Sequence, residues 1–318
     1  MVQNKITGVR PFNEFLFKSC YYHQLIAGLA CFGIGYEEFL LSMFVFAKKS
    51  FELDTHEVSE KEMEKFLGYR TKICNLTEKG LIRHIDRGRP VILGVDCFYL
   101  ENRPDTYRQI HNPHFILAYG YDLQRRELKT VDHNYRNSFQ YVEKAASMDN
   151  ILYANKMFGV GVLNRKTTCY VLMRKKLSRS VDKSFILQRY GAQIYEESRN
   201  NSMENLNQLK ILIDGNVSAL QERSDKITRY LQEMKNHYRR LCYVVEFNDT
   251  EEKKLDIRNA SNIYSNLLSV FWRMENKKDF AYVSRNKQQI FRKIDSLIEV
   301  ESRIYDYIME KLLCHSKT

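Results

Sequence analysis

The sequence predicts an α+β domain followed by an all-α bundle, and three observations predict it. All four prolines (Pro11, Pro90, Pro104, Pro113) fall within the first 113 residues, and after Gly161 only Gly191 and Gly215 remain. Turn-rich structure therefore gives way to long helices. Within the first half the apolar period changes from helical to extended near Pro90, and from Met203 onward it returns to uninterrupted three-and-four spacing.

In chain order, 20–32 reads as a helix stopped by Gly33 and Gly35, with Ser19 as its cap, and 37–48 as a second helix. Ser59 followed by Glu62 has the capping-box pattern for a third helix over 59–67, and 77–87 gives a fourth that Gly88 ends. Strands follow, rich in β-branched and aromatic residues: 90–100 (PVILGVDCFYL), 114–121, the short alternating 127–131 and 167–173. The turn DLQRR between the second and third predicts a hairpin. Helices first and antiparallel strands afterwards define the α+β class. Residues 1–175 are assigned to this domain, 176–205 to a basic linker and 206–318 to a three-helix bundle. In the bundle one long helix carries the seam Leu206, Leu209, Ile213, Leu220, Ile227, Leu231, Met234, Tyr238, Leu241 and Val245. The second runs from Ile257 to Met274 and the third from Ile290 to Leu312. A structural or dimer-forming role is expected for this bundle, with a homodimer as one outcome.

The 318 residues suffice for two modest cores, and 44 % hydrophobic with 13 % aromatic content argues against disorder. Seven cysteines without framework spacing fit free thiols in a reducing compartment, and the lack of a CxxC pair argues against structural zinc. No metal and no resident cofactor are expected. The first residues lack an apolar signal region, and 25–47 is broken by two glycines and two glutamates, so neither a leader nor a membrane span is read and a cytoplasmic location is expected. The net charge of +11 is uneven, with eight Lys or Arg against one acidic residue, Asp182, between Arg165 and Arg189. Such a strip suits an acidic partner or a solvated linker. With no zinc finger, RNP motif or P-loop beside it, nucleic acid is disfavoured.

The chemistry centres on SCYYHQLIAGLACFGIG, residues 19–35, which opens a helix on a cysteine. A thiol at a helix N-terminus feels the positive end of the dipole and shifts toward thiolate. A cysteine nucleophile needs a base, and the base needs a group that fixes its tautomer. His114 opens one strand and Asp132 closes the next, which gives the set Cys20, His114, Asp132 as nucleophile, base and orienter. The backbone N–H of Cys20 is a natural oxyanion donor, with Asn13 as a second candidate. Alternatives stand beside each: Cys20 as a small buried apolar residue, His23 or His111 as base, and Asn134 as orienter.

Cys20 at a helix start, GRPVILGVDCFYL, the Tyr107 region leading into NPHFILAYGYD, and VDHNY together resemble the N-terminal domain of the butirosin biosynthesis protein H family. That family is similar to papain-like cysteine peptidases in its order of Cys, His-strand and Asp. The resemblance covers the first half of the chain and implies a papain-like domain with Cys20, His114 and Asp132 in those roles. It also implies that Asp96 lines the cleft; read alone, Asp96 is a strand-end turn residue. The activity it implies is acyl transfer from the phosphopantetheine thioester of an acyl or peptidyl carrier protein, through Cys20, to a small-molecule amine in specialised-metabolite assembly. Carrier proteins are commonly acidic, which would give the basic strip a purpose. A peptidase or thioesterase with the same triad and a non-catalytic scaffold protein are the competing readings.

Overall fold

The structure is a computed structural model, and it describes residues 2–13, 19–45, 60–134, 140–161, 168–175, 192–215, 217–245 and 251–315. The chain divides into two compact units, one formed by 1–39 with 67–176 and the other by 40–66 with 177–318.

The first unit is built on seven antiparallel strands among the described residues: β1 (Gln3–Lys5), β2 (Tyr69–Asn75), β3 (Val91–Asp96), β4 (Pro113–Asp122), β5 (Glu127–His133), β6 (Tyr141–Ser147) and β7 (Thr168–Arg174). Their order is β2-β7-β3-β4-β5-β6, and β1 continues along β4 where β3 leaves it, pairing Lys5 with Gly120. Gly120 is required at this crowded point, because a Cβ there would lie 2.9 Å from the Asn4 carbonyl oxygen. β3 explains the sheet's core: all six of its residues are buried, which is why its sequence runs apolar without alternation.

Helix α1 (Cys20–Leu29) continues through a 3-10 turn, Ala30–Phe32, into Gly33 at φ 77°, so the predicted stop is where the sequence puts it. The next helix, α2, is Tyr36–Val45, and α3 is Glu60–Leu67; Ser59 and 46–48 lie outside the described residues. α4 (Glu78–Asp86) is capped by Thr77, whose Oγ1 accepts from Gly80 N–H at 3.0 Å. The strand expected over 90–100 ends earlier, at Asp96. There a 3-10 turn over Cys97–Tyr99 takes over, and Asp96 accepts the Phe98 N–H. α5 (Met148–Gly161) packs on β3, and the missing side chain of Gly94 leaves the space that the Phe158 ring fills.

The second unit holds α6 (Ala192–Asp214), α7 (Val217–Val245), α8 (Glu251–Lys277), the short α9 (Ala281–Arg285) and α10 (Lys287–His315). The single long helix read through Leu206 to Val245 is in fact two. α6 ends at Asp214, Gly215 N–H caps back onto Ile211 carbonyl, and α7 starts at Val217. Among the described residues four long helices therefore stand where three were expected, each burying its seam: Leu206 and Leu209, Leu231 and Tyr238, Tyr264 and Phe271, Ile294 and Leu297. Of the stretch expected as a linker, 176–191 lies outside the described residues and 192–205 is helix.

Candidate active site

Cys20 is the first residue of α1 and His114 the second residue of β4. Asp132 is the last but one of β5, the strand that pairs with β4. Ser19 sits at the cap position in an extended conformation, but its side chain makes no capping bond. The His114 ring and the backbone N–H groups of Phe115 and of Cys20 itself lie around the Cys20 sulfur and favour its thiolate. His114 Nε2 donates to Asp132 Oδ1 at 2.8 Å, the tautomer that suits an ionised carboxylate. With Nε2 so engaged, Nδ1 is the nitrogen left for the thiol.

The charges follow from this chain of bonds. Burial pushes the Cys20 thiol up, but the His114 hydrogen bond and charge and the two N–H groups outweigh it, and the net shift is down. Burial likewise disfavours imidazolium at His114, yet Asp132 and Cys20 raise its pKa to about 9. Asp132, 1 % exposed, is held below the usual carboxylate range against its burial by His114 first, then by Lys144 and Arg103. The same contacts that favour the Cys20 thiolate favour the His114 imidazolium, the pairing suited to nucleophilic sulfur chemistry. Among the other cysteines, burial pushes Cys31 and Cys97 up to about 12.

His133 adjoins His114 with ring centroids 5.1 Å apart, and burial together with the His114 charge takes it down to about 4. The positive charge therefore resides on His114. His23 stacks on Tyr141 at 4.7 Å and forms part of an aromatic wall with Phe12. His111 is paired with Asp96 at 2.7 Å and its side chain is 64 % exposed. Asn134 is engaged through its backbone with Gln140, and the carboxylate of Asp132 is the group that meets the histidine. Asn13 pairs with both backbone groups of Tyr141, donating to its carbonyl at 3.1 Å and accepting its N–H at 2.6 Å, so its amide fastens β6 rather than serving an oxyanion.

Asp96 has a structural task that the sequence reading left open. Its Oδ1 accepts N–H groups from Phe98 and Asn112 and its Oδ2 meets His111, so one carboxylate closes both ends of the loop 97–112. That loop delivers Arg103, which sequence reasoning missed. Its guanidinium is gripped by Asp105 through two 3.0 Å bonds, and its Nη1 lies 3.7 Å from Asp132 Oδ1. Lys144, on β6, brings a second cation 3.7 Å from Asp132 Oδ2. The available signal was Arg103 and Asp105 flanking Pro104 in a loop between two apolar strands. Among the described residues no cluster of three or more His, Cys, Asp or Glu is arranged to hold a metal.

A thiol at a helix start, beside an imidazole that a buried carboxylate holds, has the three chemical types that nucleophilic sulfur chemistry uses. Residues 31–133 match the family model of butirosin biosynthesis protein H, N-terminal, so the resemblance drawn from the sequence holds over that stretch. The match begins beyond Cys20 and takes in Asp96, Arg103, His114 and Asp132. A comparison with curated proteins finds no match. No helix among the described residues is long and apolar enough to cross a membrane. Of the basic strip, only 168–175 is described.

Proposed function

We propose that the protein is a biosynthetic cysteine acyltransferase that takes an acyl or peptidyl group from a carrier-protein thioester onto Cys20 and passes it to an amine. The observation that carries this reading is the Cys20–His114–Asp132 chain, in which the thiol is made more acidic while the imidazole is made more basic. The Cys20 thiolate attacks the thioester carbonyl, the oxygen gathers charge near the first-turn N–H groups of α1, and His114 gives its proton to the departing phosphopantetheine thiolate. His114, now neutral, takes a proton from the incoming amine as it attacks the acyl-cysteine. Amide formation then expels the Cys20 thiolate, and the site is restored. Exchange of one thioester for another is nearly balanced in energy, so a thiolate suits the first half, and amide formation drives the second. Asp132 acts by holding the ring and stabilising imidazolium.

The match to a family named for butirosin biosynthesis supports a biosynthetic role, and the net charge of +11 supports an acidic partner such as a carrier protein. Incubation with an acyl-loaded carrier protein is expected to add the acyl mass to Cys20, seen by intact mass spectrometry and peptide mapping. An adduct that persists in Cys20→Ala overturns the assignment. Addition of candidate amines separates transfer from hydrolysis: a transferase yields amide in preference to free acid, and a hydrolase gives acid whether or not amine is present.

A further inference from the structure

We propose that Cys74 and Cys169 form a redox-active dithiol, a site of reversible disulfide formation separate from the Cys20 hydrogen-bond chain. The two are direct register partners on antiparallel strands β2 and β7. Such partners have Cα atoms about 4.5–5.5 Å apart, inside the roughly 4.4–6.8 Å span that a disulfide bridges without backbone movement. Their sulfurs are already in contact at 3.1 Å, and the Cys169 thiol also reaches the Cys74 carbonyl at 3.4 Å. A rotation about the side-chain bonds is all that separates contact from a covalent link.

The surroundings divide the labour between the thiols. β2 is at one end of the strand order and alternates out of the core, so Cys74 is half-buried between the exposed Ile73 and Asn75. Cys169, on the next strand in, is 1 % exposed. Lys72 lies two residues from Cys74, on the same exposed face of the strand, where its cation meets the carboxylates of an incoming anionic disulfide. The alternative use of paired cysteines, a metal clip, lacks ligands. The same-face neighbours are Lys72 and its register partner Val171, and no metal-holding cluster occurs among the described residues.

The oxidant this pair suits is a small disulfide such as oxidised glutathione. The Cys74 thiolate attacks one of its sulfurs, forming a mixed disulfide and releasing one glutathione thiolate. The Cys169 sulfur then attacks Cys74 Sγ and expels the second, its proton passing to the glutathione thiolate that leaves. Two protein thiols are oxidised by two electrons, and one disulfide is reduced to two thiols. The new bond would close a loop containing β3 to β6, with His114 and Asp132 inside it. It would also tie the strand by which the chain arrives from 40–66 to the one by which it leaves for 177–318.

The test is to equilibrate the full chain with oxidised glutathione under native conditions, alkylate the remaining thiols, digest without reduction and map the peptides by mass. Expected are a cross-linked peptide pair carrying Cys74 and Cys169, lighter by two hydrogens, and loss of alkylation at both positions that dithiothreitol reverses. In Cys169→Ser the reaction should halt with glutathione on Cys74. Continued alkylation of both thiols in the wild-type protein, or a glutathione adduct on Cys74 that persists while Cys169 stays free, overturns the proposal.

Discussion

Arg103 Nη1 stands 3.7 Å from Asp132 Oδ1, with both side chains no more than 2 % exposed. The separation is too long for a hydrogen bond, and Arg103 Nη1 and Asp132 Oδ2 have no hydrogen-bond partner among the described residues. Charge is therefore what links them, and Asp105, gripping the other side of the guanidinium, fixes where that charge sits. Arg103→Met would leave a buried carboxylate short of one of its cations and Asp105 without its fork. Removing one member of a buried ion network costs roughly 3–5 kcal/mol, so a loss of about 3 kcal/mol in chemical denaturation is expected. Arg103→Lys should recover only part of it, since an ammonium reaches one carboxylate oxygen where the guanidinium meets two.

The protonation states of Cys20 and His114 carry a pH signature. His114 has its pKa raised to about 9, so imidazolium persists through neutrality and is lost as pH climbs through that value. Cys20 has its pKa lowered, so thiolate persists below the ordinary thiol range and is lost only as pH falls further. On the proposed function, acylation of Cys20 should therefore decline above about 9, where no proton remains for the leaving thiolate, and its acid limb should lie below that of an ordinary thiol. His114→Ala removes the two largest influences that lower the Cys20 value and leaves burial opposed only by the backbone N–H groups of Phe115 and Cys20. Its iodoacetamide reactivity at pH 7 should drop about tenfold or more, one unit of pKa being a tenfold change in thiolate at the low end. An unchanged rate would mean that the imidazole does not activate the sulfur.

Asp96 gives a third test, one of loop order rather than chemistry. Asp96→Ala removes the acceptor of two backbone N–H groups and the partner of His111 together, a loss of about 2–3 kcal/mol. Asp96→Asn keeps an oxygen for the backbone donors and should cost about 1 kcal/mol. Hydrogen exchange is the direct measurement: the Phe98 and Asn112 amides should lose protection strongly in the alanine variant and weakly in the asparagine one.

What the sequence announced and what it withheld divide along physical lines. β3 and β4 are central strands with long apolar runs, β5 alternates, and α1 and α4 have helical spacing with recognisable ends, so each is written plainly in residue types. β2 (YRTKICN) and β6 (YVEKAAS) went unseen because they are the two ends of the strand order. Half-exposed strands carry charges where central ones carry valines, and pairing rather than pattern makes them strands. α5 was hidden by its two glycines, Gly159 and Gly161. The split at Gly215 was missed because the seam of α6 runs on in phase into α7. At the site, the types and order of Cys20, His114 and Asp132 were legible. Arg103 and Lys144 were not, because one reaches Asp132 through the fold of a loop and the other across the β5–β6 pairing.

The second unit offers a test independent of any catalysis. Glu301 is buried on α10, and its Oε1 accepts hydroxyl bonds from Tyr238 at 2.6 Å and Tyr264 at 2.7 Å, while its Oε2 accepts from Ser202 at 2.6 Å. One carboxylate thereby joins α6, α7, α8 and α10, and the two tyrosine rings stack at 5.6 Å beneath it. Burial and then the Glu301 charge hold both phenols well above their ordinary pKa, so they act as donors at any accessible pH. Glu301→Ala would take the shared acceptor from three buried hydroxyls and open a cavity, a loss of roughly 3 kcal/mol. Glu301→Gln keeps the oxygen that two tyrosines share and turns its N–H₂ toward Ser202, whose hydroxyl is able to accept in turn. Only the charge-assisted part is then lost, about 1 kcal/mol. Thermal unfolding of the two variants decides between these roles. A glutamine variant near wild type means that the carboxylate serves as a geometric acceptor where the four helices meet. A glutamine variant as damaged as alanine means that the negative charge itself holds the tyrosines in place.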